Sequence, residues 1–312
     1  MRAVVTGSIS FDYIMDFKGR YADRIMPDKI HQISLSLLVD KLSKHFGGTA
    51  GNIAYSLKLL GVDPNIVSVA GDDFAPYKEF FRKNDISTDN IKIIPKLATS
   101  SYFAITDIDN NQIGSFYLGA TKKADTTSLR SVPAASLVIL SPTEPAAMGK
   151  YVRESKSRKL TYLFDPAFQT GAMSVAQLRD GVTHAHIFIG NDYEIALAEK
   201  KLGWTHAQLL KNVPILITTL GAKGSVIEQK TERIVIRPCK LRKVLDPTGA
   251  GDAYRSGFVA GYLRGFDLLT CGQMGSLAAT YVVEQYGTVN HHYTKKQFSD
   301  RFYLNYKRRL AL

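Results

Sequence analysis

Short apolar runs rich in β-branched residues recur along the chain, separated by stretches long enough to hold a helix. Each run is apolar almost throughout, which is typical of parallel strands that are buried on both faces of a sheet. The runs occupy residues 3–6, 66–69, 137–140, 160–164, 187–189 and 215–219. We therefore predict a buried parallel strand at each of these runs.

Between several of these runs, apolar residues recur three or four positions apart, as they do on one face of a helix. Two such series, each closed by a glycine that can end a helix, are Ile53, Leu57 and Leu60 before Gly61, and Tyr254, Phe258 and Tyr262 before Gly265. Strands alternating with helices predict an α/β fold with a doubly wound, mostly parallel sheet flanked by helices. We expect one such domain over residues 1–312, with ligands bound beyond the carboxyl ends of the strands.

Two regions break this alternation. Residues 102–106 and 113–117 flank the sequence Asp-Asn-Asn-Gln at 109–112, which is the turn chemistry of an antiparallel hairpin. Residues 14–17 and 30–36 also have the pattern of short strands. We expect segments of about 13–38 and 98–119 to pair as a small β-sheet that serves as a lid, although an ordinary edge extension of the main sheet fits the pattern equally well. Open edges of such a sheet would allow a homodimer through the lid.

The composition is that of a globular protein of 312 residues with 45% hydrophobic content. No stretch approaches the ~18 consecutive apolar residues that suggest a membrane span, and the first residues lack the apolar segment of a signal peptide. These features predict no membrane association and a cytoplasmic location. The two cysteines, Cys239 and Cys271, lack the spacing of a disulfide framework or a zinc site.

The formal net charge is +12, which favours anionic partners without identifying them. Basic residues are concentrated near the end of the chain, beside several aromatic residues. This tail contains Lys295, Lys296, Arg301, Lys307, Arg308 and Arg309, with Tyr293, Phe298, Phe302, Tyr303 and Tyr306. A nucleic-acid patch is one interpretation. We favour a terminal helix whose aromatic residues pack on the domain, so nucleic acid is an unlikely partner.

The segment 246–252 reads Asp-Pro-Thr-Gly-Ala-Gly-Asp and precedes the helix pattern that begins at Tyr254. Gly249, Ala250 and Gly251 are therefore expected at a helix N-terminus, where free backbone N–H groups and the helix dipole can hold a phosphate. Asp252 would lie beside this anion site and could accept the proton of an attacking hydroxyl. Taken alone, Asp252 could equally be a helix cap.

Three motifs in order resemble those of the ribokinase-like kinases, the family of sugar and nucleoside kinases. Residues 246–258 resemble its C-terminal signature, residues 45–52 (His-Phe-Gly-Gly-Thr-Ala-Gly-Asn) its glycine-rich signature, and residues 191–194 (Asn-Asp-Tyr-Glu) its Asn-x-x-Glu motif. The resemblance spans about residues 1–290. Within the family, residues 6–12, 34–40, 114–117 and 191–194 are most similar to a bacterial branch of adenosine kinases.

The resemblance assigns expected roles at the nucleotide end of the site. Gly249, Ala250 and Gly251 would form the anion hole, with Asp252 as the catalytic base. Asn191 and Glu194 would place Mg²⁺ and phosphate, although Glu194 by itself is more simply an exposed acid at a helix start. The ATP-binding loop would contain Thr219, Gly221, Ala222, Lys223 and Gly224. Lys223 is equally well explained as a solvated loop lysine.

The resemblance also assigns the acceptor end. The residues expected to bind substrate are Ser8, Asp12, Ser36, Gly47, Gly48, Asn52, Tyr102, Phe116, Phe168 and Gln169. Polar groups near the first strand and the glycine-rich signature would bind sugar hydroxyls. Tyr102 and Phe116 would sandwich a purine between aromatic rings, or else simply pack the hairpin on the domain. Phe168 stands where the branch has a second glutamine, and Tyr102 where it has phenylalanine, so the identity of the base is left open.

These expectations combine into one predicted activity with ATP and Mg²⁺ as cofactors. The chain would transfer the γ-phosphoryl group of ATP to the 5′-hydroxyl of adenosine, giving AMP and ADP. One alternative is a sugar kinase of the same family acting on ribose or a hexose or its phosphate. Another, from a different class, is a basic nucleic-acid-binding or regulatory protein on an inactive kinase scaffold, for which the net charge and the basic tail would be the evidence.

Overall fold

The computed structural model describes residues 1–32, 34–109, 111–132 and 137–312. These residues form a main sheet with the strand order β13-β12-β11-β10-β9-β8-β1-β4-β5. Its strands are β1 (Arg2–Thr6), β4 (Asp63–Ala70), β5 (Ile91–Ile93), β8 (Leu137–Leu140), β9 (Tyr162–Phe164), β10 (Ile187–Asn191), β11 (Ile215–Thr219), β12 (Ser225–Glu228) and β13 (Arg233–Ile236). Each predicted buried run lies within or overlaps one of these strands.

Helices cover both faces of this sheet. They are α1 (Thr49–Leu59), α2 (Ala75–Lys83), α3 (Pro145–Ser157), α4 (Val175–Thr183), α5 (Asp192–Leu202), α6 (His206–Asn212), α7 (Ala250–Tyr262), α8 (Leu268–Val283) and α9 (Lys295–Tyr306). Side chains alternate between the faces of a strand. Accordingly, Val5 packs in one apolar cluster with α1 and α7, and its neighbour Val4 packs in a second cluster with α3 and α4.

Strand direction confirms the predicted fold class. The pairs from β5 across to β11 are parallel, and β12 and β13 continue the sheet in antiparallel register. The two helices that we predicted to close at glycines end shortly before them: α1 ends two residues before Gly61 and α7 three residues before Gly265, and these glycines have positive φ angles of 75° and 73°. The carboxyl ends of the parallel strands therefore share one edge, where the polar motifs of the sequence meet.

A second, four-stranded sheet has the order β3-β2-β6-β7. Its strands are β2 (Ser10–Asp16), β3 (Lys41–Gly47), β6 (Ser100–Thr106) and β7 (Gln112–Tyr117). The predicted hairpin is present as β6 and β7, paired antiparallel, and residues 14–16 of the predicted early strand fall in β2. Asn110 of the predicted turn lies outside the described residues.

The expected strand at 30–36 is wrong, and of the lid segment of about 13–38 only residues 13–16 fall in a strand of the small sheet, β2. Pro27–Gln32 forms a 3₁₀ helix, and residues 34–36 have no regular structure. Ile33 lies outside the described residues. The strand that pairs with β2 at this edge of the small sheet is instead β3, whose side chains show no hydrophobic alternation because most of this edge strand is exposed or half-buried.

The C-terminal tail forms α9. Phe298 and Phe302 are fully buried in the cluster that contains α7 and α8, and Tyr293 just before the helix is 2% exposed. Arg301 is buried too. Its charge is satisfied there, since both oxygens of Glu284 accept hydrogen bonds from its guanidinium at 2.6 and 2.8 Å. Packing on the domain is thus the structural role of most of these aromatic residues. None of the described helices is long and apolar enough to cross a membrane.

Candidate active site

The first turn of α7 carries the predicted anion-binding residues. Gly249 is the N-cap and has a left-handed conformation with φ of 79°, which favours glycine. A Cβ at this position would also lie 2.9 Å from Cβ of Thr288. The helix then begins at Ala250, whose N–H donates to the carbonyl of Pro247 at 3.2 Å, whereas the N–H groups of Gly251 and Asp252 have no acceptor within the helix. This first turn is therefore the place where an anion could be bound through backbone N–H groups.

Asp252 is the third residue of α7, and Gly249 rather than Asp252 is the helix cap. Its Oδ2 accepts a hydrogen bond of 2.8 Å from Nδ2 of Asn52 on α1, which is 200 positions away in the chain. Burial raises the pKa of Asp252 to about 6, against the lowering effect of Arg255 and Asn52, and the charge of Asp12 raises it further. The carboxylate is therefore held in place from a second element and is poised near neutral pH.

Asp12 lies on β2, in the small sheet, and is 8% exposed. Its Oδ1 accepts a hydrogen bond of 3.1 Å from Ser10, and burial raises its pKa to about 6. Its carboxylate fills the space in front of Gly47, since a Cβ there would lie 2.1 Å from Asp12 Oδ2. Gly48 has φ of 87° and closely approaches the backbone of Ser8. Both glycines of the second motif thus make room for the carboxylate and for β2.

Tyr102 and Phe116 are directly opposite each other in the β6–β7 pair, and Tyr102 is also opposite Asp12 in the β2–β6 pair. The three side chains therefore share one face of the small sheet. The Tyr102 ring lies over Gly114, and its hydroxyl donates a hydrogen bond of 3.0 Å to Gln112. Phe116 is 42% exposed. This face of the small sheet therefore carries one carboxylate and two aromatic rings. The ring of Tyr102 leans over the neighbouring strand β7.

The predicted nucleotide residues follow the carboxyl ends of β10 and β11. Asn191 caps α5, and its Oδ1 accepts a hydrogen bond of 2.8 Å from the backbone N–H of Glu194, whose Oε2 accepts one of 2.8 Å from the backbone N–H of Asn191. This reciprocal pair is a capping box, so the Asn-x-x-Glu motif has a structural role of its own.

The loop after β11 is open to solvent. Gly221, Ala222 and Lys223 form an exposed 3₁₀ turn that follows Thr219, and no atom of the described residues lies within 4 Å of a Cβ built on Gly221. Gly224 has φ of 93° and packs against the carbonyl of Ile236. The loop thus presents free space at the same edge of the sheet as α5.

Three of the residues expected to bind substrate make no side-chain hydrogen bond to any described residue. Ser36 is exposed in the irregular segment before β3. Phe168 is 67% exposed, whereas Gln169 beside it is buried. Both follow β9 in a 3₁₀ turn (Ala167–Thr170), which is at the carboxyl edge of the main sheet.

Comparison with known proteins identifies the family to which the chain belongs. The sequence pattern described as pfkB family carbohydrate kinase matches residues 5–295, which include every motif placed above. The chain belongs to the pfkB family. As a pfkB-family kinase, it is a phosphotransferase that acts on a hydroxyl group.

Individual members of the family are similar over nearly the whole chain. The nucleoside kinase of Methanocaldococcus jannaschii is 31% identical over 283 residues, which are 90% of this chain and 90% of that protein. The solved structure of Burkholderia thailandensis nucleoside kinase in complex with inosine has a TM-score of 0.90 at 31% identity and covers 98% of this chain and 99% of that chain. The same enzyme in complex with ADP-inosine has a TM-score of 0.88 at 32% identity, covering 98% and 97%.

Two charged residues close to Asp252 were missed from the sequence. Arg255 on α7 and Asp165 at the end of β9 form a buried ion pair, with Nη2 of Arg255 donating to Oδ1 of Asp165 at 2.7 Å. Burial raises the pKa of Asp165 to about 6, although the charge of Arg255 lowers it. The available signal was an arginine one turn after Asp252, in a helix whose other residues are mostly small or apolar.

The position of the Asp252 pKa predicts the acid side of the activity profile. A protonated Asp252 cannot accept a proton, so kcat/KM should fall as pH drops through about 6 and should decrease tenfold per pH unit below that value. Asp12 titrates in the same pH range and interacts with Asp252. An acid limb that is shallower or steeper than tenfold per pH unit would therefore indicate that the two carboxyls titrate as a pair. The measurement is kcat/KM from neutral to mildly acidic pH; an unchanged value down to about pH 5 would contradict a base with this pKa.

Proposed function

We propose that the chain is an ATP-dependent nucleoside kinase that transfers the γ-phosphoryl group to the 5′-hydroxyl of a purine nucleoside, with adenosine as the first acceptor to test. The observation that carries the proposal is the row formed by Asp12, Tyr102 and Phe116 on one face of the small sheet. A carboxylate accepts hydrogen bonds from two sugar hydroxyls, and an aromatic face stacks on a base. The nucleoside names of the relatives support the same acceptor class.

Asp252 and the first turn of α7 would perform the chemistry. Asp252 accepts the proton of the 5′-hydroxyl as the oxygen attacks the γ-phosphorus, and the bond to the leaving ADP oxygen breaks. The backbone N–H groups after Gly249 stabilise the charge on the transferring group. Because Asn52 already holds Oδ2 of Asp252, the other oxygen is left to face the acceptor.

Mg²⁺ is the expected metal of this reaction, and the donor set is compatible with it. Mg²⁺ keeps several waters and needs only one or two carboxylates besides the phosphates. Glu194 has one oxygen engaged by the Asn191 N–H, while its Oε1 accepts no hydrogen bond from any described residue. Glu194 would hold the ion through that oxygen. When bound, the ion would neutralise charge on the phosphates.

The ATP loop is proposed to contain Thr219, Gly221, Ala222, Lys223 and Gly224, and Asn191 is proposed to face the phosphates. Gln169 is the proposed reader of the base. Its amide both donates and accepts hydrogen bonds, so it would suit the 6-amino group of adenosine as well as the 6-oxo group of inosine. The inosine complex of the similar Burkholderia enzyme favours inosine as the second acceptor.

A panel of acceptors with ATP and Mg²⁺ tests the proposal. Formation of ADP should require adenosine or inosine, and the product should be the 5′-monophosphate. Ribose, fructose 6-phosphate and 2′-deoxyadenosine are the comparison acceptors, the last because it lacks one hydroxyl that Asp12 would bind. Turnover on ribose or fructose 6-phosphate without turnover on nucleosides would replace this proposal by the sugar-kinase alternative.

Substitutions of the two rings should separate stacking from packing. Phe116→Ala should raise KM for the purine nucleoside by about 10- to 100-fold, since a base stacked on an aromatic face gains ~1–3 kcal/mol. Tyr102→Phe should leave KM nearly unchanged because the ring is kept. Tyr117→Ala, on the opposite face of the same strand, is the matched control, and an equal effect of Phe116→Ala and Tyr117→Ala would indicate hairpin packing alone.

A homodimer through the small sheet is part of the same proposal. Its outer face exposes Leu42, Phe103, Ile113 and Tyr117 by 38–64%. Covering these side chains would remove apolar surface from water. Light scattering of the purified chain, with Phe103→Lys as the disrupting variant, measures the mass; a monomer at micromolar concentration would contradict a stable dimer. A cytoplasmic location stays a prediction.

A further inference from the structure

Arg255 is a buried cation close to Asp252, and the sequence motifs assigned no role to it. It lies on α7 one turn after Asp252 and is 7% exposed. Nη2 donates to Oδ1 of Asp165, and Nε contacts the other oxygen of the same carboxylate. One side of the guanidinium is thus fixed at the carboxyl end of β9.

The opposite side of the guanidinium reaches the anion-binding turn. A Cβ built on Gly251 would lie 2.7 Å from Nη1 of Arg255, so the guanidinium occupies the side-chain space of that glycine. Side chains on a helix tilt toward its N-terminus, which brings a long residue at 255 level with the turn at 249–251. Nη1 makes no hydrogen bond to any described residue, so a charged donor is left beside the anion hole.

Acidic groups face this cation from several elements. The charges of Asp165, Asp252 and Glu194 all act on Arg255. Asp252 is also faced by Asp12 from β2, by the neutral amide of Asn52 from α1, and by the hydroxyl of Tyr77 from α2. Arg255 is the cation among the described residues that acts on both Asp165 and Asp252, so without it each of these carboxyls would favour its protonated form.

We propose that Arg255 is a positioning residue of the phosphoryl-transfer site, which anchors Asp165 with one side of its guanidinium and presents a positive charge beside Gly251 with the other. The inference rests on the proposed function in taking the first turn of α7 as the place of phosphoryl transfer. The charge holds Asp252 ionised for its role as base, and it strengthens the anion hole when negative charge gathers on the transferring group.

The test must distinguish a charge that acts on phosphoryl transfer from an arginine that only neutralises the buried carboxylate of Asp165. Arg255→Met alone leaves a buried carboxylate without a partner, which can prevent folding. The double variant Arg255→Met with Asp165→Asn removes both charges together, so it should fold. It has no positive charge beside Gly251, however. Arg255→Lys retains the charge but not the forked geometry.

Four measurements are compared with those of the unmodified chain: the melting temperature, the KM for each substrate, kcat against pH, and the affinities for ADP and for ADP with aluminium fluoride. The double variant should fold and bind ADP normally, yet have a kcat about 10²-fold lower, the lower range for loss of one preorganised donor. Its affinity for ADP with aluminium fluoride should fall by a similar factor, because that complex mimics the transferring group. Arg255→Lys should recover part of both losses.

The acid limb of the double variant should move to higher pH, since the charge that favours ionised Asp252 is gone. The matched control is Arg301→Met with Glu284→Gln, a second buried arginine–carboxylate pair. It should lower the melting temperature and leave the acid limb in place. A double variant at positions 165 and 255 with the kcat and acid limb of the unmodified chain would overturn the proposal, as would equal losses of affinity for ADP and for its aluminium fluoride complex. If the unmodified chain phosphorylates a sugar and no nucleoside, the proposed function fails, and the same comparison is made with that sugar.

Discussion

Asp252→Asn should lower kcat by about 10²–10⁴-fold, the usual range for loss of a general base, and leave the melting temperature and nucleoside affinity close to those of the unmodified chain. Asparagine has the same shape and can still contact Asn52, but it cannot take the proton of the attacking hydroxyl. The measurements are kcat under saturating ATP and nucleoside, and nucleoside affinity by calorimetry.

Asp267→Asn is the matched control for this substitution. Asp267 is a helix-start aspartate whose side chain truly caps α8, accepting a hydrogen bond of 2.6 Å from the N–H of Thr270. Asparagine caps a helix about as well as aspartate, so kcat should hardly change. Similar small effects at positions 252 and 267 would remove Asp252 from the role of base.

Asp12→Asn should raise KM for the nucleoside by about 10- to 100-fold, with a smaller change in KM for ATP. A hydrogen bond to a charged group contributes roughly 1.5–3 kcal/mol, and each 1.4 kcal/mol is a tenfold change in affinity. The amide replaces one acceptor by a donor, so it can serve only one of two sugar hydroxyls in the same way.

The control for Asp12 is Asp16→Asn, on the same face and strand but at its exposed outer end. It should leave both KM values unchanged. The 2′-deoxynucleoside gives a second comparison. If Asp12 binds the 2′-hydroxyl, the substitution and the missing hydroxyl should not add, whereas fully additive losses would place the carboxylate elsewhere on the substrate.

The central buried strands were readable from the sequence, and so was the exposed hairpin of β6 and β7, because its turn residues marked it. The strand Leu137–Leu140 was predicted residue for residue, because a central parallel strand must be apolar on both faces. The edge strands β3 and β13 were missed, since strands with exposed faces carry charged and polar residues. β12 was missed as well, although most of it is buried. The segment 30–36 was misread because isoleucine and leucine there resemble a strand, yet its residues 31, 32, 34 and 36 are exposed.

The candidate site could also be predicted only in part. Glycines and an aspartate ahead of a helix indicate anion chemistry by local rules alone. The hydrogen bond between Asn52 and Asp252 spans 200 positions, so only the folded chain shows that α1 positions the base. The pairing of Arg255 with Asp165 depends on which face of α7 meets β9. A polar residue in a helix gives no such information by itself, since a solvent-exposed position would look the same.

The small sheet and α7 divide the reacting groups between two bodies. Asp12, Tyr102 and Phe116 all belong to the small sheet, whereas Asp252 and Gly249 belong to α7. The chain passes between the small sheet and the main domain near Gly7 and Gly48, and again at the ends of the β6–β7 hairpin, near Gly119; all three glycines have positive φ angles. We expect a bound nucleoside to move with the small sheet, so the gap between its 5′-oxygen and Asp252 depends on these connections. Turnover that slows with solvent viscosity, at unchanged chemistry, would indicate that motion at these connections or product release limits the rate.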